Sequence, residues 1–169
     1  MSSTTWQNKV TTPIPADVDP SAIVKILHDH SYILSLNTIV TSHEKVQQEG
    51  PREIYNITES IPILPPIWKR SVTFQGSFEN KDDGVWTWVT APMGVNMHAK
   101  YVVRWKEEGL EGSGSGWALE EEIETRCSLL LKGFVERTML GSHRNMHQRF
   151  IERARERGAG QVGEASHAQ

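Results

Sequence analysis

The sequence predicts an α+β domain in which a curved, seven-stranded antiparallel sheet closes around a long C-terminal helix. Three observations predict it. Met97, Ala99, Tyr101, Val103 and Trp105 alternate with His98, Lys100, Arg104 and Lys106, the period-two pattern of a sheet with one dry and one wet face. Lys81-Asp82-Asp83-Gly84 separates two strand-like runs, and Asp-Gly is a strong short signal for a hairpin. From Ser128 to about Arg157 there is no proline, and Leu131, Phe134, Val135, Met139, Met146 and Phe150 recur near helical spacing, as on an amphipathic helix.

The remaining elements fall into place around these. Thr4 to Thr12 alternates around Trp6 and Val10 and is ended by Pro13 and Pro15, so it reads as a first strand. Asp19-Pro20 supplies an N-cap and a preformed first helical turn. Ile23, Ile26, Leu27, His30 and Leu34 then follow at helical spacing, predicting a helix from about Pro20 to His30 that frays toward Leu36. Ile39–Gln48 reads as a strand, and Gly50-Pro51 as a turn. Glu53–Ile61 alternates, with Tyr55, Ile57, Glu59 and Ile61 on one face. Pro62, Pro65 and Pro66 predict a loop that carries Ile67 and Trp68. Arg70–Phe78 and Val85–Ala91 are the two arms of the hairpin. Gly109 to Gly116 is a flexible loop. In Trp117–Cys127 the positions Leu119, Glu121, Ile123 and Cys127 share one face, while Glu120, Glu122, Glu124 and Arg126 form a solvated one.

Length and composition limit the function. The 169 residues suit one domain, here residues 1–157, followed by a small, polar tail over 158–169 expected to be disordered. A formal charge of −3 is no footprint for nucleic acid. No run approaches the ~20 apolar residues of a membrane span, and Met1–Lys9 has no signal-peptide core. The single cysteine, Cys127, forms no internal disulfide, which fits a cytoplasmic location; it reads as a small buried hydrophobe. No Gly-rich phosphate loop or paired-Cys spacing occurs, so neither a cofactor nor a metal is expected. His28 and His30 lie two apart and face different ways on a helix. His143 and His147 have the i,i+4 spacing of a metal pair but no evident third ligand, and read as part of a solvated helix face. A homodimer is left open.

Polar residues in phase with apolar neighbours are the candidates for chemistry. Glu59, Glu121, His30 and Tyr101 each share a face with core-type residues. A carboxylate or imidazole turned into an apolar cavity loses hydration and moves its pKa toward neutrality, which suits proton transfer. Each also has a structural reading: Glu59 at a rim, Glu121 beyond the core edge, His30 bonded to its own helix, Tyr101 satisfied by a partner. The inward phases place Tyr55, Phe74, Tyr101, Trp105, Phe134 and Val135 around a mostly apolar ligand pocket. On the strand Val85–Ala91 the choice stays open: either Trp86 and Trp88 face the pocket, or Val85, Thr87 and Val89 do.

Four stretches carry a likeness to a known superfamily: Leu27-His28-Asp29-His30 with Leu36-Asn37; Tyr55-Asn56-Ile57-Thr58-Glu59-Ser60-Ile61; Ala91-Pro92-Met93-Gly94; and Leu119–Cys127 running into Phe134-Val135-Glu136-Arg137-Thr138 and Ser142-His143. In order and spacing the chain resembles the START-like (SRPBCC) superfamily of helix-grip proteins, and within it a fungal family of unassigned function. The resemblance implies a cavity between the sheet and the last helix that holds a hydrophobic small molecule. Such folds carry or cyclise their ligands, so fold alone does not assign the activity. The reading favoured here is a cofactor-independent isomerase or cyclase of secondary metabolism, of the kind that closes rings pericyclically, using His30, Glu59, Glu121 and Tyr101. The alternatives are a non-catalytic lipid carrier and an interaction protein that works through the outer face of the sheet.

Overall fold

The computed structural model describes residues 2–64, 68–107 and 116–165, with the backbone alone for 61–64, 68, 69, 138, 140 and 159–165. The elements in chain order are β1 (Ser3–Pro13), α1 (Pro20–Leu27), α2 (His30–Leu36), β2 (Val40–Glu49), β3 (Arg52–Leu64), β4 (Trp68–Lys81), β5 (Gly84–Ala91), a 3-10 turn at Pro92–Gly94, β6 (Val95–Lys106), β7 (Gly116–Ser128) and α3 (Lys132–Ala165). The strands form one antiparallel sheet in the order β1-β7-β6-β5-β4-β3-β2. The first strand therefore pairs with the last, Trp6 opposite Thr125 and Val10 opposite Glu121.

The expected single helix near Pro20 is two. Asp19 caps α1 by accepting from the Ser21 N–H at 2.9 Å. Asp29 then caps α2 by accepting from the Tyr32 N–H at 3.1 Å. An Asp side chain that takes a backbone N–H restarts a helix rather than letting it fray. The proline-rich loop is also shorter than expected, because β3 continues through Pro62 to Leu64 and β4 begins at Trp68. β2 reaches only Val40, opposite Glu59, so beyond that pair β3 is an edge strand, where a missing N–H is tolerated. Residues 65–67, with Ile67, lie outside the described residues, as does all of the glycine-rich loop before Gly116.

The last helix starts at Lys132, after a turn in which the Leu131 N–H donates to Ser128 O. It runs to Ala165 rather than Arg157. That span includes most of the segment read as a tail, although Gly158, Gly160 and Gly163 there each disfavour a helix; residues 166–169 lie outside the described residues.

The core lies between the inner face of the sheet and the three helices. Ile23, Ile26 and Leu27 of α1, Val85 of β5, Leu119 of β7 and Phe150 of α3 are each 0% exposed. Burying a side chain of this size contributes roughly 1.5–3 kcal/mol. On β5 the inward phase is that of Val85, which is paired with Tyr101. Trp86 and Trp88 lie on the outer face, covered by cations: Arg52 lies 3.8 Å from the Trp88 ring centre, and Lys81 4.4 Å from that of Trp86. His98 stacks on Trp88 with ring centres 4.8 Å apart. Beside Trp86, the β4–β5 turn and Glu120 border an outer-face groove of about 630 Å³.

The core is dense toward the C-terminal half of α3, where Met146, Phe150, Ile151 and Ala154 are buried. Toward the N-terminal half of α3 the inner wall is only half covered: Phe74, Val89, Met97, Leu131 and Val135 are half-buried there.

Candidate functional site

Five polar side chains from four elements meet under α3. Glu121, on the inward phase of β7, is 0% exposed. His143 and His147 are one helical turn apart on α3 and both face it. His143 Nδ1 lies 2.5 Å from Glu121 Oε1, and His147 Nε2 lies 3.2 Å from Oε2. Tyr101, paired with Glu121 across β6 and β7, brings its hydroxyl to 3.3 Å from His143 Nδ1. Thr12 of β1 completes the group, its hydroxyl 2.9 Å from His147 Nδ1. An ionised carboxylate only accepts, so each histidine donates to Glu121 through the nitrogen that faces it.

The electrostatics follow from this packing. Burial pushes the Glu121 carboxyl up, but the charge and hydrogen bond of His143, and then those of His147, outweigh it and hold the group below the usual carboxylate range. Burial pulls His143 down, and the Glu121 charge and hydrogen bond overcome that and raise it. Tyr101 is raised well above its ordinary value, by burial first and then by the Glu121 charge, so it stays protonated. The result is a buried carboxylate–imidazolium pair beside a neutral phenol. Glu121 and His147 are sealed at 0% side-chain exposure, whereas His143 retains 16%. Its Nδ1 faces Glu121, so Nε2 is the edge of the cluster turned away from the carboxylate. Among the described residues no group of three His, Cys, Asp or Glu side chains is arranged to hold a metal ion.

Of the four residues expected to supply polar contacts, Glu121 and Tyr101 come together here and His30 and Glu59 do not. His30 is the first residue of α2 and is 3% exposed. Its Nδ1 lies 2.8 Å from Glu53 Oε2, its Nε2 lies 2.7 Å from Asn80 Oδ1, and its ring stacks on Phe78 at 4.9 Å. Both ring nitrogens are thus engaged in pinning α2 to β3 and β4. The hydrogen bond from Lys45 to Glu53, with further bonds from Tyr55 and His30, outweighs partial burial and holds Glu53 down to about 2. Asn80, Val85, Tyr101 and Glu121 form one row across the sheet. His30 is therefore kept from Glu121 by two strand spacings between Asn80 and Tyr101, about 10 Å, and by fully buried Val85. Glu59 lies six residues beyond Glu53 on β3, about 20 Å along the strand. There it is half-buried, with Asn37 Nδ2 donating to it at 3.3 Å, and burial raises it to about 7.

The expected ligand-lining residues divide in the same way. Tyr55 is buried in the core beneath His30, with its hydroxyl donating to Glu53 at 2.9 Å. Phe74 and Val135 lie on the half-covered inner wall. Trp105 and Phe134 are 51% and 57% exposed. Trp105 has the inward phase but stands at the β6–β7 hairpin end, edge-to-face with Trp117 at 5.8 Å. Trp86 and Trp88 are outer-face residues. Glu120, read as solvated, is 2% exposed and buried under Lys9, Arg104 and Lys106, whose nitrogens lie 3.3, 3.2 and 2.5 Å from its carboxylate. The residues missed were His143 and His147. Their i,i+4 spacing was visible, and the signal that should have been joined to it was Glu121 on the inward phase of β7, the strand that leads into α3.

A seven-stranded antiparallel sheet closed by a long C-terminal helix over a polar cluster defines a helix-grip domain. Residues 3–156 match the family described as Domain of unknown function (DUF7053), and the chain belongs to that family. No curated protein matches it. Solved structures share the fold. The di-domain ARO/CYC StfQ from the steffimycin biosynthetic pathway superposes with a TM-score of 0.64 at 9% identity over 92% of this chain and 52% of that one, so this chain spans about half of it. Truncated norcoclaurine synthase from Thalictrum flavum gives 0.62 at 12% identity over 90% and 94% of the two chains. A STAR-related lipid transfer protein from Xanthomonas axonopodis gives 0.52 at 13% identity over 86% and 85%. At these identities the likeness is one of fold. Among the described residues no helix is long and apolar enough to cross a membrane.

Proposed function

We propose that this protein is a cofactor-independent isomerase or cyclase acting on a hydrophobic, carbonyl-bearing natural-product intermediate held between the sheet and α3, and that it works in the cytoplasm. The observation that carries the reading is the convergence of Tyr101, Glu121, His143 and His147 on one buried point, with His143 alone partly open. Glu121 holds the His143 imidazolium charged. His143 Nε2–H then donates to a substrate carbonyl oxygen and stabilises negative charge that develops there during ring closure or double-bond migration. The apolar wall of Phe74, Met97 and Val135 folds the substrate, and proximity of this kind is worth up to ~7–11 kcal/mol. Solved neighbours named as aromatase/cyclases and a synthase support the class.

A non-catalytic carrier is the second reading. Both Glu121 oxygens are already satisfied by histidines, as in a network that only rigidifies a core, and one neighbour is named as a lipid transfer protein. Turnover assays on apolar polyketide and terpenoid carbonyl compounds separate the two. His143→Gln and Glu121→Gln are expected to lower turnover by roughly 10²–10⁴ while leaving affinity within a few-fold. Wild-type turnover in both variants removes the polar groups from catalysis and leaves templating by the apolar wall, whereas tight binding of a compound that none of the proteins converts makes the protein a carrier.

A further inference from the structure

Two hydrogen-bond donors on β1 are shielded from solvent and have no acceptor: the indole N–H of Trp6 and the amide Nδ2 of Asn8. Both lie on the inner face, since Trp6 pairs with Thr125 and Asn8 with Ile123, residues that are 0% and 1% exposed. Buried donors without acceptors give up hydration for nothing, and native proteins seldom keep two side by side. Of their cross-strand neighbours, Ile123 is apolar, and the Thr125 hydroxyl donates to Met139 Sδ at 3.5 Å while its oxygen accepts from neither donor. Lys132, at the start of α3, brings its ammonium to 5.6 Å from the Trp6 ring centre, so this wall has an excess of donors and positive charge. It is continuous with the Glu121 cluster, because Val10, the next inward residue of β1, pairs with Glu121. Asn8 thus stands about 7 Å and Trp6 about 13 Å along the strand from the level of Glu121.

We propose that Trp6 and Asn8 form a subsite for an sp² oxygen of the ligand, a carbonyl or carboxylate set one fused-ring skeleton away from the atom that faces His143. This rests on the reading that a ligand occupies the space under α3, and it adds that the ligand carries oxygen at both ends. The donors fix which end of a flat, apolar skeleton meets the Glu121 cluster.

Three probes of nearly equal size test it: 2-acetylnaphthalene, 2-naphthoate and 2-ethylnaphthalene, with affinities measured by calorimetry on the full chain and the indole N–H of Trp6 followed by NMR. The expected result is that the ketone, the carboxylate or both bind at least tenfold more tightly than the ethyl compound and move the Trp6 indole proton downfield. Whichever oxygen compound binds more tightly identifies the oxygen. Trp6→Phe and Asn8→Leu each abolish that advantage. Asn8→Leu also raises the unliganded Tm, as removal of an unpaired polar group should. Equal affinity for all three probes in wild type and variants overturns the subsite and leaves the ligand-binding reading standing. A long-lived water contact to the Trp6 indole proton that persists with probe bound assigns the donors to structural water and also overturns it. If no probe binds, the ligand-binding reading falls and the subsite with it.

Discussion

Glu59 shows how one side chain can be located by pattern and given its chemistry only by its surroundings. Its phase with Tyr55 and Ile57 puts it on the inner face of β3, and burial alone raises it to about 7 from an ordinary 4.5. A carboxyl with a raised folded pKa binds its proton more tightly in the native state, so its contribution to stability is complete below about pH 4.5 and lost as pH climbs through 7. Glu59→Gln stays neutral and keeps an oxygen for the Asn37 amide. Urea unfolding of wild type and variant is therefore expected to diverge with pH. The curves coincide near pH 4.5, and the variant is more stable by about 2 kcal/mol at pH 8, after allowance for solvent screening. A difference that stays constant with pH would mean that Glu59 is ionised in the folded state across the range. His30 is the contrasting residue. Its spacing on an apolar face was legible, but that Glu53 and Asn80 would take both of its nitrogens was not, because those partners come from two strands far along the chain.

At the scale of elements, periodicity reads the phase of a strand or helix reliably and says nothing about what covers it. β6 and β7 alternate as expected, yet Trp105, on the inward phase at the end of β6, is 51% exposed. Phe134 falls on the apolar stripe of α3 but on the stretch of that helix where the wall is only half covered. The ambiguity of β5 had the same origin: both of its faces are apolar because cations from Arg52, Lys81 and Lys100 cover the outer tryptophans, and a cation supplied by a neighbouring strand leaves no mark on β5 itself. The β4–β5 hairpin was fully legible as a turn, and the structure adds why it ends in glycine. A Cβ on Gly84 would sit 1.8 Å from the Tyr101 carbonyl oxygen, a backbone atom that cannot swing aside. Gly84→Ala is accordingly expected to cost about 3 kcal/mol or more by forcing β5 away from β6. A thermal melt within a degree or two of wild type would show that the hairpin can slide to make room.

For the molecule as a whole, the cluster under α3 joins β1, β6, β7 and α3 through a single carboxylate. Breaking a buried pair by neutralising one partner leaves the other charge uncompensated, at a cost of roughly 3–5 kcal/mol. Glu121→Gln is expected to destabilise by about that much, and Glu121→Gln with His143→Gln by clearly less than the sum of the two single changes. Additive losses in that double-mutant cycle would deny the pairing. Glu121 was legible from its phase on β7, but its pairing with His143 was not, since twenty-two positions separate the two and the lay of α3 across β7 brings them together. The same closure sets a timetable for synthesis. β1 leaves the ribosome well before β7, its one strand neighbour among the described residues, and Trp6 must wait for Thr125. At ~5–20 residues per second that interval is roughly 6–24 s. Throughout it the nascent chain carries an unpaired edge with a tryptophan on it, and the sheet cannot be completed until β7 has emerged.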